Sequence, residues 1–217
     1  MPARRTLARR LESVADFESP TPELEQYLTP PELAAHLCHL AGLQGDLTDE
    51  TVVDLGTGTG MLAIGAALWT PARVVGVDVD SDALELARMN ENRVRVTDSA
   101  EGRGGDTAMT PIDWVRGDVT AFPLRFESAT VLSNPPFGAQ HGNRHADRAF
   151  LEAIRPIADV SYTIHNEGSK SFLESFTRDE GATITHAFRA AFPIPRRFSF
   201  HTSASETLEA EVFRIEW

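Results

Sequence analysis

The sequence has a single cysteine, Cys38, and a single lysine, Lys170, among 217 residues. One cysteine excludes an internal disulfide and makes a reducing cytoplasm the expected setting. No apolar run is long enough to span a bilayer. The arginines near the start, Arg4, Arg5, Arg9 and Arg10, are followed by no apolar stretch, so a secretory signal is not expected. There is no internal repeat and no sign of a second domain. One domain over residues 1–217, with ample length for a buried core, is the expectation. The scarcity of lysine sits beside a formal net charge of −12. A net acidic chain argues at first sight against a nucleic-acid partner. However, acids spread over the whole chain, with arginine as nearly the only cation, fit a salt-adapted, halophile-like surface. Net charge then reports the solvent, and local arginine clusters become the signal for a polyanion.

What is present begins with residues 4–17. Leu7, Leu11 and Val14 fall at helical spacing with the four arginines on other faces, which predicts an amphipathic helix. Its arginines either frame a packing helix or touch RNA phosphates. Further on, Thr29 and Glu32 read as a capping box, with a helix from Pro30 through Leu37 and Leu40 to Gly42. Gln26 and Tyr27, just ahead of that cap, are free to face a ligand. The N-terminal helices over residues 1–45 are therefore expected to form part of a pocket. Cys38 reads as core, and His36 and His39 lack acidic or cysteine companions at metal spacing.

Residues 51–55 form a short buried strand, followed by Gly56-Thr57-Gly58-Thr59-Gly60 and a helical run from Met61. Strand, glycine turn and helix open a nucleotide-binding βα unit, in which bare backbone can approach a ligand closely. A second strand over residues 73–78 ends in Asp78, 22 residues after Gly56, where a carboxylate can accept ribose hydroxyls. The G-x-G-x-G spelling and the acid ahead of it, Asp54, suit an ammonium better than a pyrophosphate, so S-adenosylmethionine is favoured over NAD. A third strand, residues 112–119, places Asp118 and the Val119 N–H where an adenine should lie. Between them, a helix over 81–92 is capped by Asp80 or Ser81, and residues 97–111 read as a solvated insertion.

A fourth strand, residues 129–133, delivers Ser133-Asn134-Pro135-Pro136-Phe137-Gly138 to the carboxyl end of the sheet. The residue before proline is kept from helical φ/ψ, and each proline fixes its own φ. The result is a stiff ledge. On it, the Asn134 amide oxygen and the Pro135 carbonyl are two acceptors for the two N–H bonds of an exocyclic amine. Phe137 can stack on the attached ring. Accepting from both hydrogens makes the nitrogen lone pair more available, a case of preorganised dipoles acting on developing charge. Gln140, His141 and His145 sit on a polar loop, residues 138–147, able to close over a substrate, and the two histidines read as solvated rather than as metal ligands. Helix over 150–157, strand over 160–164, an amphipathic helix by residue 178 and long strands over 182–189 and 207–217 complete the chain. Residues 192–201 mix arginines with aromatics and suit either single-stranded RNA or an ordinary loop.

Taken together, Glu25-Gln26-Tyr27 with Thr29-Pro30, the Asp54 to Gly60 loop, Asp78, Asp118-Val119, Asn134-Pro135-Pro136-Phe137 and Tyr162 to His165 resemble the class I S-adenosylmethionine-dependent methyltransferases. Within them the chain resembles the methyltransferase-like 5 family of ribosomal-RNA adenine-N6 methyltransferases. The resemblance implies a Rossmann-like α/β fold: a mostly parallel seven-stranded sheet with a C-terminal antiparallel hairpin. It also implies methyl transfer to adenine N6 of small-subunit ribosomal RNA. With the reading above, the cofactor residues are Gln26, Tyr27, Thr29, Asp54, Gly56, Thr57, Gly58, Thr59, Gly60, Met61, Asp78, Val79, Asp118, Val119 and Asn134. Asn134, Pro135, Pro136 and Phe137 hold a flipped-out adenine, and no metal is involved. The family further implies a small zinc-binding activator protein on an edge strand, here the strand bearing Ile112 and Trp114. Methylation of a protein glutamine or of DNA adenine, and a non-catalytic RNA-binding role in ribosome assembly, are the alternatives.

Overall fold

Short apolar runs alternating with helical stretches build layers of helix on sheet. A computed structural model describes residues 2–100, 109–121, 126, 128–136, 146–195 and 205–217. The strands are β1 (Thr51–Leu55), β2 (Arg73–Asp78), β3 (Ile112–Arg116), β4 (Thr130–Ser133), β5 (Val160–Asn166), β6 (Thr183–Pro195) and β7 (Ser205–Glu216). They form one sheet in the order β3-β2-β1-β4-β5-β7-β6. The first five run parallel to one another, whereas β7 is antiparallel to both β5 and β6. This is the expected mostly parallel sheet with a C-terminal hairpin. Its central strands read as continuous apolar runs because both faces are covered.

On one face lie α1 (Arg4–Leu11), α2 (Pro31–Gln44), α3 (Met61–Ala67) and α4 (Ser81–Ala100). Leu7, Leu11, Leu37, Ile64 and Val94 pack there with Val52, Val74, Leu132 and Tyr162. On the other face α5 (Ala146–Ile154) and α6 (Lys170–Glu180) cover the sheet, with Ile154 against Val53, Val75 and Val131, and Leu173 and Phe176 near Phe213. The side chain of Trp114 turns inward. It lies over Gly76, where an added Cβ would fall 2.5 Å from Trp114 Cζ3, and its indole N–H donates to Glu91 Oε2 at 2.9 Å. The β3 backbone, not that ring, is what the edge presents.

Several expectations are corrected. Helix α1 stops at Leu11, and Arg10 is 3 % exposed, which removes it from any phosphate-facing row. Arg4, Arg5 and Arg9 remain exposed. Helix α2 begins at Pro31, Pro30 is its N-cap, and no side chain caps it, so Thr29 and Glu32 form no capping box. Helix α4 runs on to Ala100, eight residues past the expected end, so the stretch read as an insertion from Thr97 is helical at its start. Arg95 explains the extension. It pairs with Glu91 at 2.8 Å, one turn back, and holds the returning chain by the carbonyls of Met109 and Thr110. Residues 101–108 lie outside the described residues. Asp80 is the group at the start of α4, accepting the Asp82 N–H at 2.9 Å. Helix α5 begins four residues earlier than read and ends at Ile154, and the hairpin strands are longer than expected. Cys38 is fully buried core.

At the amino edge of the sheet the hairpin is clasped to the loop before β1. Asp46 accepts from Arg214 Nε at 2.7 Å and Nη2 at 3.0 Å, and from the Tyr162 hydroxyl at 2.5 Å. Arg214 Nη1 donates to Thr185 Oγ1 at 2.7 Å and to Glu216 Oε1 at 2.5 Å. His165, farther along β5, is buried, meets Thr163 Oγ1 at 2.9 Å, and is held neutral by burial, its pKa pushed down to about 4.

Candidate functional site

Strand order reverses direction between β1 and β4. In open α/β sheets the crevice at such a reversal, at the carboxyl ends of the strands, is where ligands sit. Register fixes what meets there: Leu55 pairs with Val77 on one side and with Ser133 on the other. The next residues, Gly56, Asp78 and Asn134, therefore lie in a row.

The turn after β1 needs its glycines, since Gly56, Gly58 and Gly60 have φ of 72°, 53° and 83°. The N–H groups of Gly56 and Thr57 both donate to the Val77 carbonyl at 2.9 Å, which ties the loop to β2. Asp54 lies beneath, 1 % exposed. Its Oδ2 accepts from Thr57 Oγ1 at 2.6 Å and from the Ala63 N–H at 3.0 Å, while Oδ1 is buried with no hydrogen-bond partner. Burial pushes its pKa up to about 7 against the pull of those two bonds. Thr59 and Met61 are buried, and Met61 packs in the core beside Ile64.

Asp78 ends β2. Its two oxygens accept the N–H groups of Gly58 at 2.8 Å and Asp80 at 2.9 Å, and burial raises its pKa. Each oxygen keeps a further lone pair for a hydroxyl. Val79 is exposed. Gly117 N–H donates to the Asp78 carbonyl at 2.9 Å, which brings the exposed Asp118 alongside. Thr120 donates to Asp118 Oδ1 from its side chain at 2.7 Å and its backbone at 2.9 Å, and these bonds lower the Asp118 pKa. Val119 is buried.

The segment between α1 and α2 closes over this row. Phe17 lies against Gly58, where an added Cβ would come 3.3 Å from its ring. Asn90, fully buried on α4, accepts the Ala15 N–H at 2.9 Å and donates to the carbonyls of Ala15 and Thr59 at 3.0 Å each. Neither Phe17 nor Asn90 was legible beforehand, because only their distant partners give them a role. Gln26 corrects the expectation of a free side chain: it accepts from the Thr21 N–H and donates to Asp80 Oδ2, both at 2.7 Å. Tyr27 is half-buried.

The ledge follows β4. Ser133 Oγ donates to the Leu55 carbonyl at 2.9 Å, locking the ledge to the strand of the glycine loop. Pro135 is buried and Pro136 half-buried. Asn134 Nδ2 donates to Thr29 Oγ1 at 2.9 Å, and Asn134 Oδ1 is buried with no partner. Phe137, Gln140, His141 and His145 lie outside the described residues, as do residues 196–204 of the arginine and aromatic stretch.

A protein of Drosophila melanogaster called rRNA N(6)-adenosine-methyltransferase Mettl5 is 32 % identical to this chain, over 98 % of the chain and 95 % of that protein. The chain belongs to the Mettl5 family of methyltransferases. An uncharacterised protein of Methanocaldococcus jannaschii is 33 % identical over 97 % of the chain and 92 % of its own length. The crystal structure of a candidate RNA methyltransferase from Pyrococcus horikoshii superposes with a TM-score of 0.82 at 33 % identity, covering 100 % of this chain and 98 % of that one. The family model for ribosomal protein L11 methyltransferase matches residues 35–121. That match ends before the ledge, so it speaks for the cofactor half that the Mettl5 family shares with other class I methyltransferases. Membership raises the question of S-adenosylmethionine, and the site fits it. A buried carboxylate oxygen without a partner lies under a loop of bare backbone, and a second carboxylate ends β2.

Proposed function

We propose that the protein methylates N6 of an adenine in ribosomal RNA, using S-adenosylmethionine. The observation that carries the reading is Asn134 Oδ1: a buried acceptor with no partner, on a proline-stiffened ledge, one residue from the register that aligns it with Gly56. A buried acceptor left unmet costs about 1–3 kcal/mol, a cost relieved when a substrate N–H arrives. Asn134 Oδ1 and the Pro135 carbonyl accept the two hydrogens of the adenine amine. Asp54 meets the cofactor's ammonium, the Gly56 to Gly60 turn allows close approach, Asp78 accepts from the ribose, and Asp118 with the Val119 N–H receives the cofactor's adenine. Bound S-adenosylmethionine supplies an electrophilic methyl group. As the amine nitrogen forms the new C–N bond, the methyl–sulfur bond would break and leave its electron pair on sulfur as a neutral thioether; the amine then gives its extra proton to water, so no side chain need act as base. Positioning supplies most of the acceleration.

Arg4, Arg5 and Arg9, exposed on α1, support an RNA backbone contact. The β3 edge, paired on one side only among the described strands, supports docking of a small zinc-binding activator protein. The test is methyl transfer from labelled cofactor, at high salt, to small-subunit ribosomal RNA, messenger RNA, DNA and protein extract, followed by nucleoside analysis. N6-methyladenosine confined to ribosomal RNA is expected. Label in protein glutamine or in DNA would replace this reading.

A further inference from the structure

We infer that Thr29 is a positioning residue for methyl transfer: its hydroxyl holds the Asn134 side chain in the orientation that offers the amide oxygen to the substrate amine. The inference rests on the function proposed above and adds a residue to it. An asparagine amide is nearly symmetric in shape, but its two ends are opposite in hydrogen bonding. Turned over, Asn134 would present N–H groups to an amine that also presents N–H groups, and the pocket would lose its acceptor. The orientation must therefore be set by something other than the substrate.

Thr29 is placed to do this. It is 7 % exposed and lies 105 residues earlier in the chain, and its Oγ1 receives Asn134 Nδ2 at 2.9 Å. In that arrangement one acceptor, Oδ1, is unmet. In the flipped arrangement the hydroxyl would donate to Oδ1, and the amide nitrogen would face the buried pocket with no acceptor, a poorer state before substrate binds and a worse one after. The hydroxyl is not drawn away by helix capping, because Pro30 caps α2 and no side chain bonds to its first turn. It is also rigidly held. Thr29 precedes a proline, which restricts it to extended backbone. The segment is fixed on one side by the Gln26 bridge from Thr21 to Asp80 and on the other by Leu33 and Leu37 in the core.

The experiment is a double-mutant cycle on the full chain with Thr29→Val, Thr29→Ser, Asn134→Ala and Thr29→Val combined with Asn134→Ala. It records kcat, KM for RNA, cofactor Kd by calorimetry and melting temperature. Thr29→Val should lower kcat at saturating cofactor roughly tenfold, whatever small change it makes to cofactor Kd, with melting temperature close to wild type. Thr29→Ser, which keeps the hydroxyl, should recover most of the rate. Once Asn134 is alanine, Thr29→Val should cost nothing more, because its effect runs through the amide. Wild-type kcat in Thr29→Val, an equal loss in both backgrounds, or a loss confined to cofactor Kd would overturn the role of Thr29 and leave the proposed function standing. Full kcat in Asn134→Ala would overturn the role of Thr29 together with that of the ledge, whereas no transfer by the wild type would overturn the proposed function itself.

Discussion

Both edges of the sheet bury a carboxylate, and the two are treated in opposite ways. At the amino edge Asp46 receives three donors from Arg214 and Tyr162, so both of its oxygens are met. At the carboxyl edge Asp54 has two donors on one oxygen and none on the other, and Asn134, two residues beyond Leu132 with which Asp54 pairs, leaves its amide oxygen unmet as well. A finished network holds a fold together. An unfinished one, kept in place by rigid glycine and proline backbone, awaits the groups that complete it. Stability should therefore be concentrated at one edge and ligand affinity at the other.

The sharpest way to break that contrast is at the clasp. Arg214→Leu leaves Asp46 buried without its ion-pair partner, a change that typically costs about 3–5 kcal/mol. For a chain of this size the melting temperature should fall on the order of 10 °C, while methyl transfer per folded molecule stays near wild type. A stable but inactive Arg214→Leu would mean the clasp belongs to the site.

Asp54→Asn should do the reverse. With the carboxylate gone, cofactor affinity should drop roughly tenfold or more, as expected for a charge-assisted bond, with no loss of stability. The pH dependence follows from the pKa near 7. Pairing with an ammonium requires the ionised acid, so wild-type affinity should rise as pH climbs towards about 7 and then level off, and Asp54→Asn should show no such rise. Without cofactor the sign is opposite for stability. The folded acid binds protons more tightly than the unfolded one, so this group's contribution declines between about pH 4 and pH 7. Calorimetric titration and thermal melts over that range check both. The smallest effect is expected at the rim: Arg73 and Asp113 pair at 2.8 Å, but each side chain is more than half exposed. Arg73→Ala should shift stability by less than about 1 kcal/mol and less still at high salt. A larger loss would mean that the free edge, too, holds structural weight.

Those differences mirror what could be read from the chain. The glycine turn, the acids at the ends of β1 and β2 and the Asn-Pro-Pro ledge are local patterns with local physics, and register alone sets them side by side. The mostly parallel seven-stranded sheet with its antiparallel C-terminal hairpin followed from resemblance and was met. What stayed hidden depends on partners far away in sequence. Thr29 looks like a helix cap until Asn134 is seen to donate to it, and Gln26 looks free until Asp80 closes on it. Arg10 looks like one of four surface arginines, and tertiary packing buries it. The true end of α4 was missed because Arg95 supports it through the chain that returns after residue 108.

The central claim is that the unmet acceptor at Asn134 acts on the reacting amine. Its most direct test is the single-turnover rate of Asn134→Ala with cofactor and ribosomal RNA both saturating, measured beside cofactor Kd. Loss of a preorganised group at a developing charge commonly costs about a hundred- to a thousandfold. A fall of that size with cofactor saturating, larger than any accompanying loss of cofactor affinity, is the predicted result. A rate near wild type with cofactor bound would contradict the account.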